Sequence, residues 1–454
     1  MEILFNGVQA VSGAIWGVPT VAVMMCIGAV LTVQNRFLQF RHTRLWLHET
    51  MGQALHPEKR GAGITRAQAL ATALAGTMGV GNIAGVAAAL SCGGPGALFW
   101  MWGSALFGMM IKYAETVLAV RYRRADGPHR WVGGPMEVLE DGLHCPALAI
   151  CFAAFCVMAS FGMGNMTQAN AVAQAMQKGF HIAPAVSAAC CAAVLAVVIF
   201  GGLGRIAHVA EALIPVLTVL YCVGGVAVIA LHIDRLVPCL AQVVSEAFSL
   251  RAAAGGTMAA AMRYGFSHGI FSNEAGLGSS AMVYAAAEDA RPVEQGFWGI
   301  FEVFADTIVV CTITGFAILT SGVSLAGETG AALTIAAFET TFGRAGGQFI
   351  AASIALFAFA SMLGWAYYGE RGATRLGGSI PVYRVLFAAS ALLGGMLRLE
   401  LVWGISEIFN GLMSVPNLIA VVCLAPQVRA ETDRWFAQRE QPALPPFVPG
   451  ENRP

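Results

Sequence analysis

The stretch TALAGTMGVGNIAGVA, Thr72–Ala87, lies in an apolar run long enough for a membrane helix, yet it is poor material for an unbroken one. Gly76, Gly79, Gly81 and Gly85 fall within a few turns. Each glycine costs about 1 kcal/mol relative to alanine in a helix interior. Gly85 alone also fits small-residue packing between helices. The run Gly79–Val80–Gly81–Asn82 reads as unwound backbone, which is tolerable at membrane depth only where it faces protein or a polar cavity. The phrase GNIAG (81–85) has a near copy, SNEAG (272–276), which places Asn82 and Asn273 191 residues apart. The later copy sits in YGFSHGIFSNEAGLGSSAMVYAAA, from Tyr264, and adds Glu274. An acid at that depth is either functional or satisfied by the amides that the break frees.

Composition supports a lipid solvent. Of 454 residues, 57% are hydrophobic and 11% charged, more apolar surface than a water-soluble chain can bury. Basic and acidic residues balance at 26 each, which excludes a global basic footprint for nucleic acid. The start, MEILFNGVQA, lacks the positive region of a cleavable signal. Eleven cysteines lie mostly in apolar segments, without zinc-like spacing, and read as reduced packing residues.

About eleven stretches have the roughly 20 apolar residues of a membrane helix. They centre on 13–35, 66–90, 95–120, 147–177, 184–203, 209–232, 257–287, 295–321, 347–370, 381–397 and 400–425. Segments 237–250 and 328–343 have the spacing of short interfacial helices. The tail from Glu431, ending QPALPPFVPGENRP, reads as disordered. Basic residues concentrate in 36–66, 121–146, Arg205, Arg291, Arg371–Arg384 and the tail, which puts the N-terminus outside and the C-terminus in the cytoplasm. The two glycine phrases then run in opposite directions, five spans apart, with span one left over. That is the pattern of an inverted repeat. The organisation is an N-terminal helix and basic loop (1–65), a five-helix block (66–235), a connecting extracellular segment (236–256), a second five-helix block (257–425) and a cytoplasmic tail (426–454).

Further polar residues mark a pathway. SFGMGNMTQANAVAQ (160–174) carries Asn165, Gln168 and Asn170, with Gln168 fitting either a zwitterionic ligand or a helix–helix hydrogen bond. FEVFADTIVVCT (301–312) carries Glu302 and Asp306 four apart, expected as a structural polar cluster rather than a direct contact. Ser361 suits a cation, and Trp365 suits a pocket wall, a gate or plain packing. Glu115, Glu211, Glu370 and Glu407 are expected near helix ends in structural roles.

The chain resembles the alanine or glycine:cation symporter family. The matching phrases are ALAGTMGVGNIAGVA (73–87), GGPGALFWMW (93–102), GNMTQAN (164–170), GIFSNEAGLGS (269–279), FEVFADTIVVCT, LGWAYYGE (363–370) and ISEIFNGLMSVPNLIA (405–420). The resemblance implies an all-α integral membrane protein of a bacterial-type inner membrane. Its fold would be leucine-transporter-like, a five-plus-five inverted repeat with one extra N-terminal helix. It implies sodium entry coupled to uptake of a small neutral amino acid, alanine or glycine, with proton coupling as the alternative and no cofactor. As substrate neighbours it implies Thr77, Gly79, Asn165, Gln168, Phe271, Gly276 and Trp365. For sodium it implies the backbone carbonyls of Ala75 and Met78 and the hydroxyl of Ser361. Asn82, Asn273 and Glu274 are expected as structural polar groups beside the site. Two positions depart from the family pattern, His268 in place of a frequent arginine and Ala360 in place of a hydroxyl residue. A histidine, with its usual pKa of about 6.5, suits pH-sensitive or proton-linked transport.

Two other classes fit less well. A channel uses repeated filter elements, usually from several subunits. A membrane enzyme needs a nucleophile, metal or acid–base constellation, and no such motif stands in the sequence.

Overall fold

The structure is a computed structural model that describes residues 2–52, 63–249, 258–396 and 400–440. Its principal helices are α1 (Glu2–Ile15), α2 (Val18–Gln34), α3 (Arg66–Thr77), α4 (Ala84–Gly93), α5 (Gly96–Arg121) and α6 (Pro146–Phe180). They continue as α7 (Pro184–Ile199), α8 (Gly202–Leu231), α9 (Ile233–Ala247), α10 (Met258–Asn273), α11 (Ala281–Ala286) and α12 (Pro292–Ser321). The last five are α13 (Gly330–Phe342), α14 (Arg344–Arg375), α15 (Ile380–Met396), α16 (Glu400–Cys423) and α17 (Ala425–Glu440). Each apolar stretch read from the sequence falls on one of these helices or on a broken pair. Six helices among the described residues are long and apolar enough to cross a membrane in one piece.

Local chemistry sets the helix starts. Proline occupies the first turn of α6, α7 and α12, where its missing N–H costs nothing. Thr65 and Gln68 form a reciprocal capping box at the start of α3. Both α6 and α12 contain π-helical turns, Gly162–Met166 and Phe304–Cys311, which re-aim the residues that follow.

The outer face is apolar. Val216, Val219, Leu220, Val223 and Val226 of α8 are all exposed, at the i, i+3, i+4 spacing of one helix stripe. A water-facing helix buries such a stripe, so its solvent here is lipid. Inside, α5 packs along α10 and α12, the C-terminal part of α6 along α14, and α3 against α8 and α14. The α3–α14 approach is close. A methyl group added at Gly364 would stand 2.8 Å from the backbone of Gly76.

The end of the bundle carrying Arg66, Arg121 and Arg371 is tied shut. Arg66 pairs with Glu294 at 2.7 Å and donates to the carbonyl of Asp289. Arg123 donates to the carbonyl of Ala287, and Glu288 N–H donates to the carbonyl of Ile64. A two-stranded hairpin (Arg124–Ala125, Trp131–Val132) and the turn after it link to α14 through Arg371–Glu137 and Arg375–Glu140. Arg124 bridges Glu140 and Asp141.

Two features differ from the sequence reading. The tail expected to be disordered from Glu431 is helical to Glu440, because α17 docks on this closed end. Tyr113 meets Thr432 at 2.8 Å, Arg439 pairs with Glu49 at 2.6 Å, and Trp435 packs edge-on to Phe297. The remainder of the tail, 441–454, and part of the 236–256 connection lie outside the described residues, whereas α9 occupies that connection as far as Ala247. Glu115, expected near a helix end, is buried within α5 and accepts a hydrogen bond from Asn417 at 2.5 Å.

Two outcomes follow from this packing. Gly364→Ala forces α3 and α14 apart and lowers stability by about 1–3 kcal/mol, readable as a reduced melting temperature in detergent. The carboxyls of Glu140 and Asp141 are held below their usual 4.5 and 3.8, Glu140 by Arg375 and Arg124, Asp141 by Arg124. A lowered folded-state pKa stabilises above the unfolded value and is lost as pH falls through the folded one. The melting temperature is therefore expected to drop below about pH 4, with a smaller drop in Arg124→Ala.

Candidate functional site

The first break begins where α3 ends at Thr77. Gly79 takes φ −118°, ψ −146°, a short 3₁₀ turn spans Val80–Asn82, and α4 resumes at Ala84. A side chain at Gly79 would meet Ser361 at 3.2 Å and Gln168 Oε1 at 3.3 Å, so only glycine leaves the space between them open. The second break is longer. After α10, Glu274 adopts the left-handed region at φ +52°, followed by Gly276 and Gly278 at +94° and +72°. Glu274 is the strained position, since its Cβ disfavours that conformation.

Both breaks are held by one carboxyl group. Asp306, in the π-helical part of α12, accepts from Asn82 Nδ2 at 2.7 Å on one oxygen. The other oxygen accepts from Ser272 and Thr307, each at 2.8 Å. Thr307 in turn accepts from Asn273 Nδ2 at 3.2 Å. The paired asparagines of GNIAG and SNEAG therefore converge on adjacent residues of α12. Glu302 and Asp306, expected on one face, serve different partners, because the π-helical turn begins between them. Glu302 lies 3.6 Å from the ammonium of Lys112, and Asp306 serves the breaks. Lys112 was not among the residues read from the sequence. Its signal was a lone basic residue deep in the apolar run GSALFGMMIKYAETVLAV (103–120).

A cavity of about 650 Å³ descends to this region from the end opposite the ion-pair closure. Lys178, Arg263 and Thr329 border it and are exposed, whereas Val80 and Gln168 border it and are buried. Gly81, Met163 and Phe271 complete its deep part, and His268 lies on its wall. Ser12 of α1 and Trp16 just after that helix line it too, bonded to Glu407, which is thus a cavity-wall residue. The Gln168 amide donates to the carbonyl of Met163 at 3.2 Å, and its Oε1 has no hydrogen-bond partner among the described residues. A buried free acceptor beside unwound backbone suits an ammonium donor.

The remaining expected residues are distributed as follows. Gln168 and Phe271 line the cavity and Gly79 adjoins it. Thr77 turns its hydroxyl onto its own helix, at the carbonyls of Ala73 and Leu74. Asn165 donates to the Phe387 carbonyl and Ser390 of α15, with its Oδ1 unpartnered among the described residues. Gly276 faces Met24 and Leu418, away from the cavity. Trp365 does not line the cavity; it is buried and donates to Glu274 Oε1 at 3.0 Å. Ser361 donates to the carbonyl of Gly76 at 3.0 Å, which lies between Ala75 and Met78, the two carbonyls expected to bind sodium.

A cavity leading from one face to unwound backbone in a lipid-facing bundle, with ion pairs sealing the other face, defines a multi-pass membrane transporter. The description "Sodium:alanine symporter family" matches residues 1–448, and the chain belongs to that family. It is 38% identical to the sodium/alanine symporter AgcS of Methanococcus maripaludis, over 96% of this chain and 98% of that one. It is 40% identical to an uncharacterized transporter of Haemophilus influenzae (94% and 95% covered). It is 33% identical to the amino-acid carrier protein AlsT of Bacillus subtilis (100% and 97%). The protein is a transporter and not an enzyme.

If Asp306 holds both breaks, Asp306→Ala removes the carboxylate that Asn82, Ser272 and Thr307 share, leaving Asn82 the backbone carbonyl of residue 306 at 3.2 Å and Ser272 the Cys311 sulfur at 3.4 Å. It is expected to cost about 1–3 kcal/mol, the size of a buried polar group left without its partner. Asp306→Asn, which keeps one oxygen, loses less. Chemical-denaturant or thermal melts of the purified variants give the order.

Proposed function

We propose that the protein is a secondary transporter that couples sodium entry to uptake of a small neutral amino acid, alanine or glycine, by alternating access. The observation that carries this reading is the meeting of Gly79, Gln168 Oε1 and Ser361 at the first break, at the foot of the cavity. Amides freed at the break receive the substrate carboxylate. Carbonyls and Gln168 Oε1 receive its ammonium. Phe271 walls the side-chain space, and the close approach around Gly79 restricts substrate size. An apolar wall discriminates by only about 1–3 kcal/mol per methylene, so steric exclusion carries most of the selection.

Sodium bridges the carbonyls near the end of α3, those of Ala75 and Met78, and the hydroxyl of Ser361 on α14. Binding there joins the broken helix to its neighbour and favours the substrate-competent arrangement. With Ala360 beside it, the site has one side-chain hydroxyl from this pair. The helices follow a five-plus-five inverted repeat of eleven spans with an outside N-terminus. The cavity then opens outward and the Arg66–Glu294 and Arg371–Glu137 closure faces the cytoplasm. Alternation breaks that closure while the outer cavity narrows. A second reading, proton-coupled symport, is favoured by His268 on the cavity wall.

Counterflow of labelled alanine and glycine in proteoliposomes, with sodium, lithium or a proton gradient alone, separates these readings. Saturable alanine uptake is expected with sodium. Gly79→Leu is expected to reduce it to the level of empty liposomes, and wild-type uptake by that variant would remove the site from this position.

A further inference from the structure

The two helix breaks are not served alike. Beyond the Asp306 carboxyl group, which reaches both segments, neutral groups meet the first, the hydroxyl of Ser361 on the carbonyl of Gly76 and the amide of Gln168 near Gly79. A charged group faces the second. The side chain of Lys112 has no exposure at all, and its ammonium donates to Ser280 Oγ at 3.0 Å and to the backbone carbonyl of Glu274 at 3.2 Å. Glu302 Oε1 stands 3.6 Å away, and Glu302 Oε2 accepts from Ser280 at 3.1 Å. An ammonium has three N–H donors; two are taken by the bonds to Ser280 and the Glu274 carbonyl, and Glu302 faces the charge as an ion-pair partner beyond hydrogen-bond distance.

The carbonyl that Lys112 meets belongs to the residue with the strained, left-handed backbone. The same carbonyl accepts the N–H of Leu277 at 3.2 Å, closing the turn that replaces helix. The Glu274 side chain is fixed from elsewhere, by Ser279 at 2.5 Å and Trp365 at 3.0 Å. Trp365 lies one helical turn after Ser361 on α14. Lys112 on the backbone of Glu274 and Trp365 on its side chain thus connect, along one turn of α14, to the residue whose hydroxyl touches the first break.

We infer that Lys112 is the protein's own tethered cation for the second break. It does permanently for the carbonyl of Glu274 what an exchangeable sodium ion does at the first break, and through Glu274 and Trp365 it positions Ser361. Lys112 is thus a positioning residue, remote from the substrate, and Glu302 is its counter-charge. The part concerning Ser361 rests on the sodium-coupled reading above; the tethered-cation part rests on the contacts of Lys112 alone.

The test compares wild type, Lys112→Met, Lys112→Ala and the charge-neutral pair Lys112→Met/Glu302→Gln. Melting temperature in detergent and sodium-driven alanine uptake in proteoliposomes are both measured. Removing one member of a buried pair strands the other, so Lys112→Met is expected to melt well below wild type. The double variant is expected to regain the wild-type melting temperature. Its maximal uptake stays down by about tenfold or more, the size of one lost charge-assisted hydrogen bond, and its half-saturating sodium concentration rises. Methylammonium is expected to raise the melting temperature of Lys112→Ala without affecting wild type. A double variant that transports like wild type, or that melts no higher than Lys112→Met, overturns the inference. So does a Lys112→Ala protein indifferent to methylammonium. Absence of sodium-driven uptake in the wild type would instead sink the sodium-coupled reading, and the methylammonium melts would still decide the role of Lys112.

Discussion

Backbone amides and carbonyls released from a helix inside a membrane have no water to turn to, so protein must satisfy them. In this chain the carboxyl group of Asp306 meets much of that demand. It gathers Asn82 from the first break and, through Ser272 and Thr307, the approach to the second. The π-helical turn of α12 that carries Asp306 is the frame on which both breaks hang. The cavity, the approach of Gly79 to Gln168 and the place of Ser361 all presuppose that both segments stay unwound in register with each other.

The two segments share a short phrase and differ in chemistry. GNIAG has Ile83 where SNEAG has Glu274. The isoleucine is buried among apolar neighbours, while its carbonyl accepts from Thr334 at 3.1 Å. The glutamate draws in Trp365, Ser279 and Lys112. The first break therefore borders the cavity with Asp306 as its buried charged partner, and the second has Lys112 on its backbone as well.

Closure at the far end uses a different material. There the groups are arginines and carboxylates near the water-facing end, part-exposed at Arg375–Glu140 and mostly buried at Arg66–Glu294 and Arg371–Glu137, bridging the start of α3 to the start of α12, and the turn after the hairpin to α14. Such pairs are individually weak in contact with water. They are suited to being broken and remade, whereas the buried Asp306 cluster is suited to staying intact. The stretch around α17 shows the same surface chemistry overriding composition: a polar tail becomes helix because Thr432, Trp435 and Arg439 find partners on α5, α12 and Glu49.

Much of this was legible in the amino-acid sequence. Apolar stretches located the helices, because in lipid the backbone has few alternatives to a helix. Clustered glycines and the repeated asparagine located the breaks, because those residues make poor filler for a membrane helix. Gln168 and Phe271 were legible as polar and aromatic neighbours of a pathway. The partners were not. That Asn82 and Asn273 meet on α12, that Trp365 answers to Glu274, and that Asn165 belongs to α15 follow from how helices far apart in the chain pack. Lys112 escaped notice for the same reason: a lone lysine in an apolar run has no meaning until its acceptors, more than 150 residues away, are in place. Local composition thus determined where the chain runs as helix and where it breaks, since lipid enforces both within each segment. Only the tertiary structure decided which groups satisfy those breaks, since hydrogen bonds and ion pairs depend on distances that sequence spacing does not contain.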